Sequence, residues 1–329
     1  MTPLPDSHRR SRTPGRGIAA ALLTAAALLL VSACGSAQND EPAEPAAGSG
    51  DGTRTVQSAK GPVEIPETPQ RIVAVDYISP EILFDLEAPL VGALDLSSGA
   101  SGEKYSTITA VGNDSGELNF EQLAGLDPDV IIGNETENEA AYDKLAQIAP
   151  TVLFADGGTD WKATVNTVAE IAGKTGDVQA REQAYQASVQ KLRGEFGDAI
   201  TAAGTWAVAG TYDGASWYVY GSDTGPNTVL TDLGATLAPV AEEVKADPNT
   251  FTRTLEQLDA LQSAQVILFD DLGPPVTTEG AAATLQADPL FSGLPAAQAG
   301  KVYPGTYNVV TYGQAESVLG QLEQILPKL

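Results

Sequence analysis

From about residue 60 onward the chain alternates short apolar runs with stretches of helical period. The runs are IVAV (72–75), PLVGAL (89–94), DVIIG (129–133) and TVLFA (151–155), and helical patterns fall between them at 79–86, 119–126 and 138–148. Short, continuous, β-branched runs predict strands buried on both faces, and their alternation with helices predicts a parallel sheet covered on both sides. From 162 to 200 the pattern is helical throughout. Val178, Tyr185, Val189, Leu192 and Phe196 form one apolar stripe there, which predicts a helix over 177–199 about 35 Å long at 1.5 Å per residue. Alternation resumes with TWAVAG (205–210), SWYVYG (216–221), a helix at 226–234, QVILFD (265–270), GKVYPG (300–305) and a closing helix at 313–326. The expected fold class is α/β: two parallel-sheet lobes, over 61–172 and 201–329, joined by a single long helix over 173–200.

One unit is written twice. LNFEQLAGLDPDVIIG (118–133) and RTLEQLDALQSAQVILF (253–269) each run a capped helix into a buried strand. At an offset of 135, Glu121 aligns with Glu256, Gln122 with Gln257, Leu123 with Leu258 and Leu126 with Leu261. Asn119 and Thr254 are good N-caps with a glutamine three residues on, so both glutamates are expected in a first helical turn. On their own they read as acids that offset a helix dipole.

The N-terminus adds export. Arg9, Arg10, Arg12 and Arg16 precede IAAALLTAAALLLVSA (18–33), a secretory signal over 1–33 whose apolar run is shorter than a spanning helix needs. VSAC followed by Gly35-Ser36 resembles a bacterial lipobox, which makes Cys34 the expected lipidation site. Residues 34–60, rich in Gly, Pro, Ala and acid, are expected to form a disordered tether.

Composition narrows the chemistry. The 329 residues carry 18 Lys and Arg against 43 Asp and Glu, a net charge of -25. Such a surface repels phosphate backbones, so no nucleic-acid partner is expected. Cleavage before Cys34 removes four arginines, Asp6 and the only histidine, His8, leaving a net of -28. Without histidine, triad-type nucleophile systems and the usual His-based zinc and iron sites are excluded. NETENEAAYDK (134–144) lacks a calcium-loop pattern and reads as a capping box from Thr136 to Glu139. Asp270-Asp271 is a carboxylate pair with no activated nucleophile beside it.

QRIVAVDYISPEILFDLEAPLVGA, NFEQLAGLDPDVIIG, YDKLAQIAPTVLF and LQADPLFSGLPAAQAGKVYPGTYNVV together resemble the substrate-binding lipoproteins of iron-siderophore ABC importers, relatives of the ferrichrome- and cobalamin-binding proteins. The resemblance covers nearly all of 62–329. It implies a helical-backbone periplasmic-binding-protein fold with little lobe movement, a ferric siderophore held between the lobes, and no enzyme activity or resident cofactor. It further implies an ABC permease partner that a glutamate on each lobe meets; these map to Glu121 and Glu256. The protein is expected to act as a monomer tied by its lipid to the outer face of the bacterial cell membrane.

In such folds the cleft lies at the carboxyl ends of the strands. The candidate ligand-binding residues are therefore Tyr77, Ser79, Tyr105 and Trp161 on the first lobe, and Tyr212, Trp217, Tyr307 and Tyr312 on the second. Aromatic faces with polar tips suit a bulky organic chelate. The candidate loops offer few cations, Lys104 with Lys162 and Arg253 nearby, so a neutral or cationic hydroxamate complex is expected rather than an anionic catecholate or citrate. The open alternatives are a cobalamin or haem ligand and, in another class, a secreted hydrolase working through carboxylates alone.

Overall fold

The computed structural model describes residues 52–97, 101–155, 160–272 and 277–329. The signal segment, Cys34 and most of the expected tether lie outside the described residues. A hairpin comes first, β1 (Thr53–Ser58) antiparallel to β2 (Gly61–Pro66). This corrects the tether boundary, because ordered chain begins several residues before 60. Val56 and Ile65 are buried, and Arg54 donates from Nη2 to the carbonyls of Glu170 (2.5 Å) and Ile171 (2.9 Å), capping the end of a helix.

The first lobe holds β3 (Ile72–Ala74), β4 (Leu90–Leu94), β5 (Thr109–Gly112), β6 (Val130–Asn134) and β7 (Thr151–Phe154). They form a five-stranded parallel sheet in the order β5-β4-β3-β6-β7. The chain reverses its winding direction between β3 and β6, the position where a doubly wound sheet opens a crevice at its carboxyl edge. Val73 and Val75 point to one face with Ile131 and Leu123, while Ile72 and Ala74 point to the other with Val130 and Val152, so helices cover both faces.

The second lobe holds β8 (Thr205–Gly210), β9 (Ser216–Val219), β10 (Thr236–Leu237), β11 (Thr252–Thr254), β12 (Val266–Asp270) and β13 (Val302–Gly305). Strands β10, β8, β12 and β13 run parallel, while β9 and β11 extend the sheet antiparallel. The antiparallel pair follows from chain length, since the connection from β8 to β9 is far too short for a parallel crossover.

Between the lobes, the helix Trp161–Ala172 starts on Asp160, whose side chain accepts from the Ala163 N–H, and stops at Gly173 with φ 71°. The Lys174 N–H donates to the Ala169 carbonyl at 2.7 Å, which closes the end in a Schellman turn. A 28-residue helix, Thr175–Ala202, then carries the chain to β8. Its buried residues Val178, Tyr185, Val189 and Leu192 belong to one continuous core that also contains Ile72 and Val130 of the first sheet and Trp206, Val208 and Leu268 of the second. Fully burying one such aliphatic side chain stabilises by about 1.5–3 kcal/mol. Hinging the lobes apart would therefore expose shared core.

Polar contacts reinforce this junction. Asp232, at the end of helix Gly225–Asp232, accepts from Lys162 Nζ at 2.6 Å and from Tyr185 Oη at 2.7 Å through the same oxygen. Asp85, at the end of helix Ser79–Asp85, accepts from Arg181 at 3.2 Å and from the Gly313 N–H at 3.2 Å. Each carboxylate ties the long helix to another element.

Candidate functional site

The carboxyl ends of both sheets open onto one cleft of about 380 Å³. Tyr77 follows β3, Leu96 follows β4, Leu272 follows β12, and Thr306 and Asn308 follow β13. Helical residues complete the wall: Glu81 in the first turn of Ser79–Asp85, Tyr105, and Gln314 and Ser317 of the C-terminal helix Tyr312–Ile325. A narrower cavity of about 140 Å³ shares Asn308 and is walled by Ile78, Trp161, Tyr220 and the start of helix Gly225–Asp232. That helix packs so closely that a Cβ on Gly225 would lie 1.9 Å from the Val309 carbonyl oxygen.

Three of the eight candidate ligand residues face these cavities. Tyr77 is 37% exposed, with its hydroxyl donating to the Asp114 carbonyl at 3.1 Å. Burial, and then Glu137 and Asp114, push its phenol above the ordinary tyrosine value. Tyr105 stands edge-on to Phe84 at 5.2 Å, and burial followed by nearby Glu81 drives its pKa up. Trp161 lines the narrower cavity and meets Tyr312 at 4.9 Å and Tyr185 at 6.1 Å.

The other five do not line either cavity, and four of them, Ser79, Trp217, Tyr307 and Tyr312, are buried in packing, which corrects their placement. Ser79 is fully buried as a helix start, its N–H donating to Asp76 Oδ1 at 2.7 Å. Trp217 is buried in the outer core of the second sheet, with Nε1 donating to the Thr254 carbonyl at 2.8 Å. Tyr307 is buried because chain direction alternates: Thr306 and Asn308 face the cleft and the ring between them faces inward, its hydroxyl donating to the Tyr303 carbonyl at 3.1 Å. Tyr312 lies beneath the narrow cavity in the aromatic cluster, where burial pushes its phenol up to about 12. Tyr212, exposed on the loop after β8, stacks on Tyr218 at 4.6 Å and is not among the residues lining either cavity.

Two buried carboxylates brace the strand ends under the cleft. Asp76 Oδ1 accepts from the N–H groups of Ile78 (2.8 Å) and Ser79 (2.7 Å), turning the chain from β3 into its helix. Asp270 accepts from the Tyr307 N–H at 2.7 Å through Oδ1, and from Tyr220 (2.8 Å) and Tyr218 (3.1 Å) through Oδ2. Burial raises both carboxyl pKa values. Asp270 is thus a structural acceptor.

The cations expected near the ligand are engaged elsewhere. Lys104 sits over the Phe84 ring at 5.8 Å, Lys162 pairs with Asp232, and Arg253 pairs with Glu243 at 3.0 Å beneath Trp217. Among the described residues no Lys or Arg lines either cavity, and Glu81 is the one charged side chain on the walls.

The twice-written helix differs between lobes. Phe120–Gly125 is α-helical, with the Asn119 side chain accepting from the Gln122 N–H, whereas Leu255–Leu261 winds as a 3₁₀ helix with a full capping box from Thr254 to Gln257. Glu121 and Glu256 are both exposed in these first turns. Hydrogen bonding to Thr254 holds the Glu256 carboxyl below its ordinary value. In the acidic segment the N-cap is Asn134, accepting from the Thr136 N–H at 2.8 Å, which corrects the expected Thr136 cap.

Two α/β lobes around a single long helix, with a ligand-sized cleft at the strand ends, define a substrate-binding protein. Residues 72–307 match the periplasmic binding protein family, and the chain belongs to that family of binding proteins rather than enzymes. It is 31% identical over 214 residues to a probable siderophore-binding lipoprotein of Bacillus subtilis, covering 63% of this chain and 64% of the relative, just under two thirds of the relative's length. It is 25% identical over 288 residues to an Fe(3+)-citrate-binding protein of the same organism, covering 84% of this chain and 85% of the relative. The structure of a siderophore periplasmic binding protein from the fuscachelin gene cluster of Thermobifida fusca superposes with a TM-score of 0.66 at 26% identity, covering 80% of this chain and 98% of that one.

Proposed function

We propose that this protein is a lipid-anchored, monomeric receptor on the outer face of a bacterial cell membrane. It captures a ferric siderophore between its lobes and passes it to an ABC permease, and the chelate is a hydroxamate complex without net negative charge. The observation that carries the ligand class is the described cleft wall, which has Glu81 and no Lys or Arg. An anionic ferric citrate or catecholate would call for converging cations; a neutral or cationic complex instead finds aromatic faces and small polar groups. The names of the relatives support ferric chelates in general, and a described wall without Lys or Arg favours a hydroxamate over a citrate complex. Lipid attachment at Cys34 is supported by the VSAC motif. Permease docking through Glu121 and Glu256 is supported by their exposure in matching first turns on the two lobes.

Native mass spectrometry of the protein purified from iron-starved native cells tests this reading. A co-purifying ferric hydroxamate is expected. A ferric citrate or catecholate would overturn the ligand class, and no chelate together with polysaccharide hydrolysis would overturn the receptor.

A further inference from the structure

Glu81 is oriented by both lobes. Its Oε2 accepts from Ser101 Oγ at 3.0 Å and, weakly, from Gln314 Nε2 at 3.5 Å. The Gln314 amide has one usable orientation, because the Val310 N–H donates to its Oε1 at 2.8 Å and leaves the NH₂ for the carboxylate. Both bonds fall on one oxygen, yet an ionised carboxylate offers about four acceptor positions. Tyr77 and Tyr105 present rings on the same wall, and no cation stands there among the described residues. A partly buried carboxylate whose polar neighbours, Ser101, Gln314 and the Tyr105 hydroxyl, are all neutral suits a cationic guest, and aromatic faces beside it add cation–π attraction.

We infer that this corner of the cleft binds a primary alkylammonium group carried by the chelate, with Glu81 as the specificity-determining residue. The inference rests on the ferric-hydroxamate reading above and narrows it to amine-bearing complexes. A structural role for Glu81 makes a different prediction. An acid in a first helical turn also offsets the helix dipole, but that role gives no preference between ligands differing only in an amine.

The test is a tryptophan-fluorescence quenching titration of the full mature chain with two ligands: a linear ferric trihydroxamate ending in a free amine, and its N-acetylated form. The amine form is expected to bind about tenfold tighter, the worth of one charge-assisted hydrogen bond. Glu81→Gln should bring the two within about twofold by weakening only the amine form, and Glu81→Asp, which keeps the charge, should retain a clear preference. Glu195→Gln, an exposed acid on the long helix away from the cleft wall, should leave the tenfold ratio unchanged and so exclude the overall negative field as its source. Equal binding of both forms by the wild type, or a preference that survives Glu81→Gln, overturns the inference alone. Failure of both forms to bind overturns the hydroxamate reading and this inference with it.

Discussion

Asp232→Ala tests how the lobes are held. The substitution removes the acceptor of the Tyr185 hydroxyl at 2.7 Å and of Lys162 at 2.6 Å. Tyr185 is 0% exposed, and a buried hydroxyl left without a partner costs about 1–3 kcal/mol. The Lys162 pair, with side chains 24% and 28% exposed, adds no more than about 1 kcal/mol after solvent screening. The expected loss is therefore about 1–4 kcal/mol. Tyr185→Phe removes the hydroxyl together with its bond and should cost only about 1 kcal/mol. On the Asp232→Ala background the same Tyr185→Phe change deletes an orphaned hydroxyl, so it should restore about 1 kcal/mol, a coupling of about 2 kcal/mol. Urea denaturation followed by circular dichroism reads all four corners of the cycle as midpoint shifts at constant slope. If Tyr185→Phe destabilises equally with and without Asp232, the hydroxyl is not stranded and the assignment of this carboxylate as a lobe-joining hub is wrong.

Glu121→Lys or Glu256→Lys should reduce cellular uptake of a radiolabelled ferric chelate by about tenfold, through reversed charge at a steered docking face, while the Kd for the chelate stays within about twofold. A matching loss of affinity would place these residues in ligand binding instead. Asp76 and Asp270 give a pH signature. Burial raises both carboxyl pKa values, so the folded state holds those protons more tightly than the unfolded chain. Stability is then fully present below the ordinary carboxylate pKa and falls as pH rises from there through the raised values. Asp270→Asn should flatten part of that fall in the urea midpoint, and an unchanged slope would contradict the assignment.

The central strands of both sheets were legible because β-branched runs such as IVAV and VILF have few alternatives, and the long helix because its stripe of Val178, Tyr185, Val189 and Leu192 is regular; the short strands β5, β10 and β11 carry no such run and were not read as strands. The hairpin start was not. TRTVQS has one buried apolar residue, Val56, and directly follows acid- and glycine-rich chain. The antiparallel edge was available from spacing, since five residues between β8 and β9 cannot make a crossover. At the cleft, reading aromatics in loops as ligand contacts located Tyr77, Tyr105 and Trp161 on the walls but misplaced Trp217, Tyr307 and Tyr312. Large rings after a strand are as readily turned into the core as out of it, and one residue of alternation decides which. The neutral polar part of the wall, Ser101, Thr306, Asn308, Gln314 and Ser317, has no periodicity or motif. Only the meeting of two distant strand ends brings them together. Glu81 was hidden in the same way, as an ordinary first-turn acid until Gln314 arrived from the far end of the chain.

The most direct measurement is a side-by-side quenching titration of the mature protein with a ferric trihydroxamate, a ferric catecholate and ferric citrate at one pH and ionic strength. Saturable, submicromolar binding of the hydroxamate complex, about -8 kcal/mol or tighter, is expected, with at least about tenfold weaker binding of both anionic complexes, which find no converging cations. Tight binding of the catecholate or citrate complex with none of the hydroxamate would contradict the hydroxamate reading.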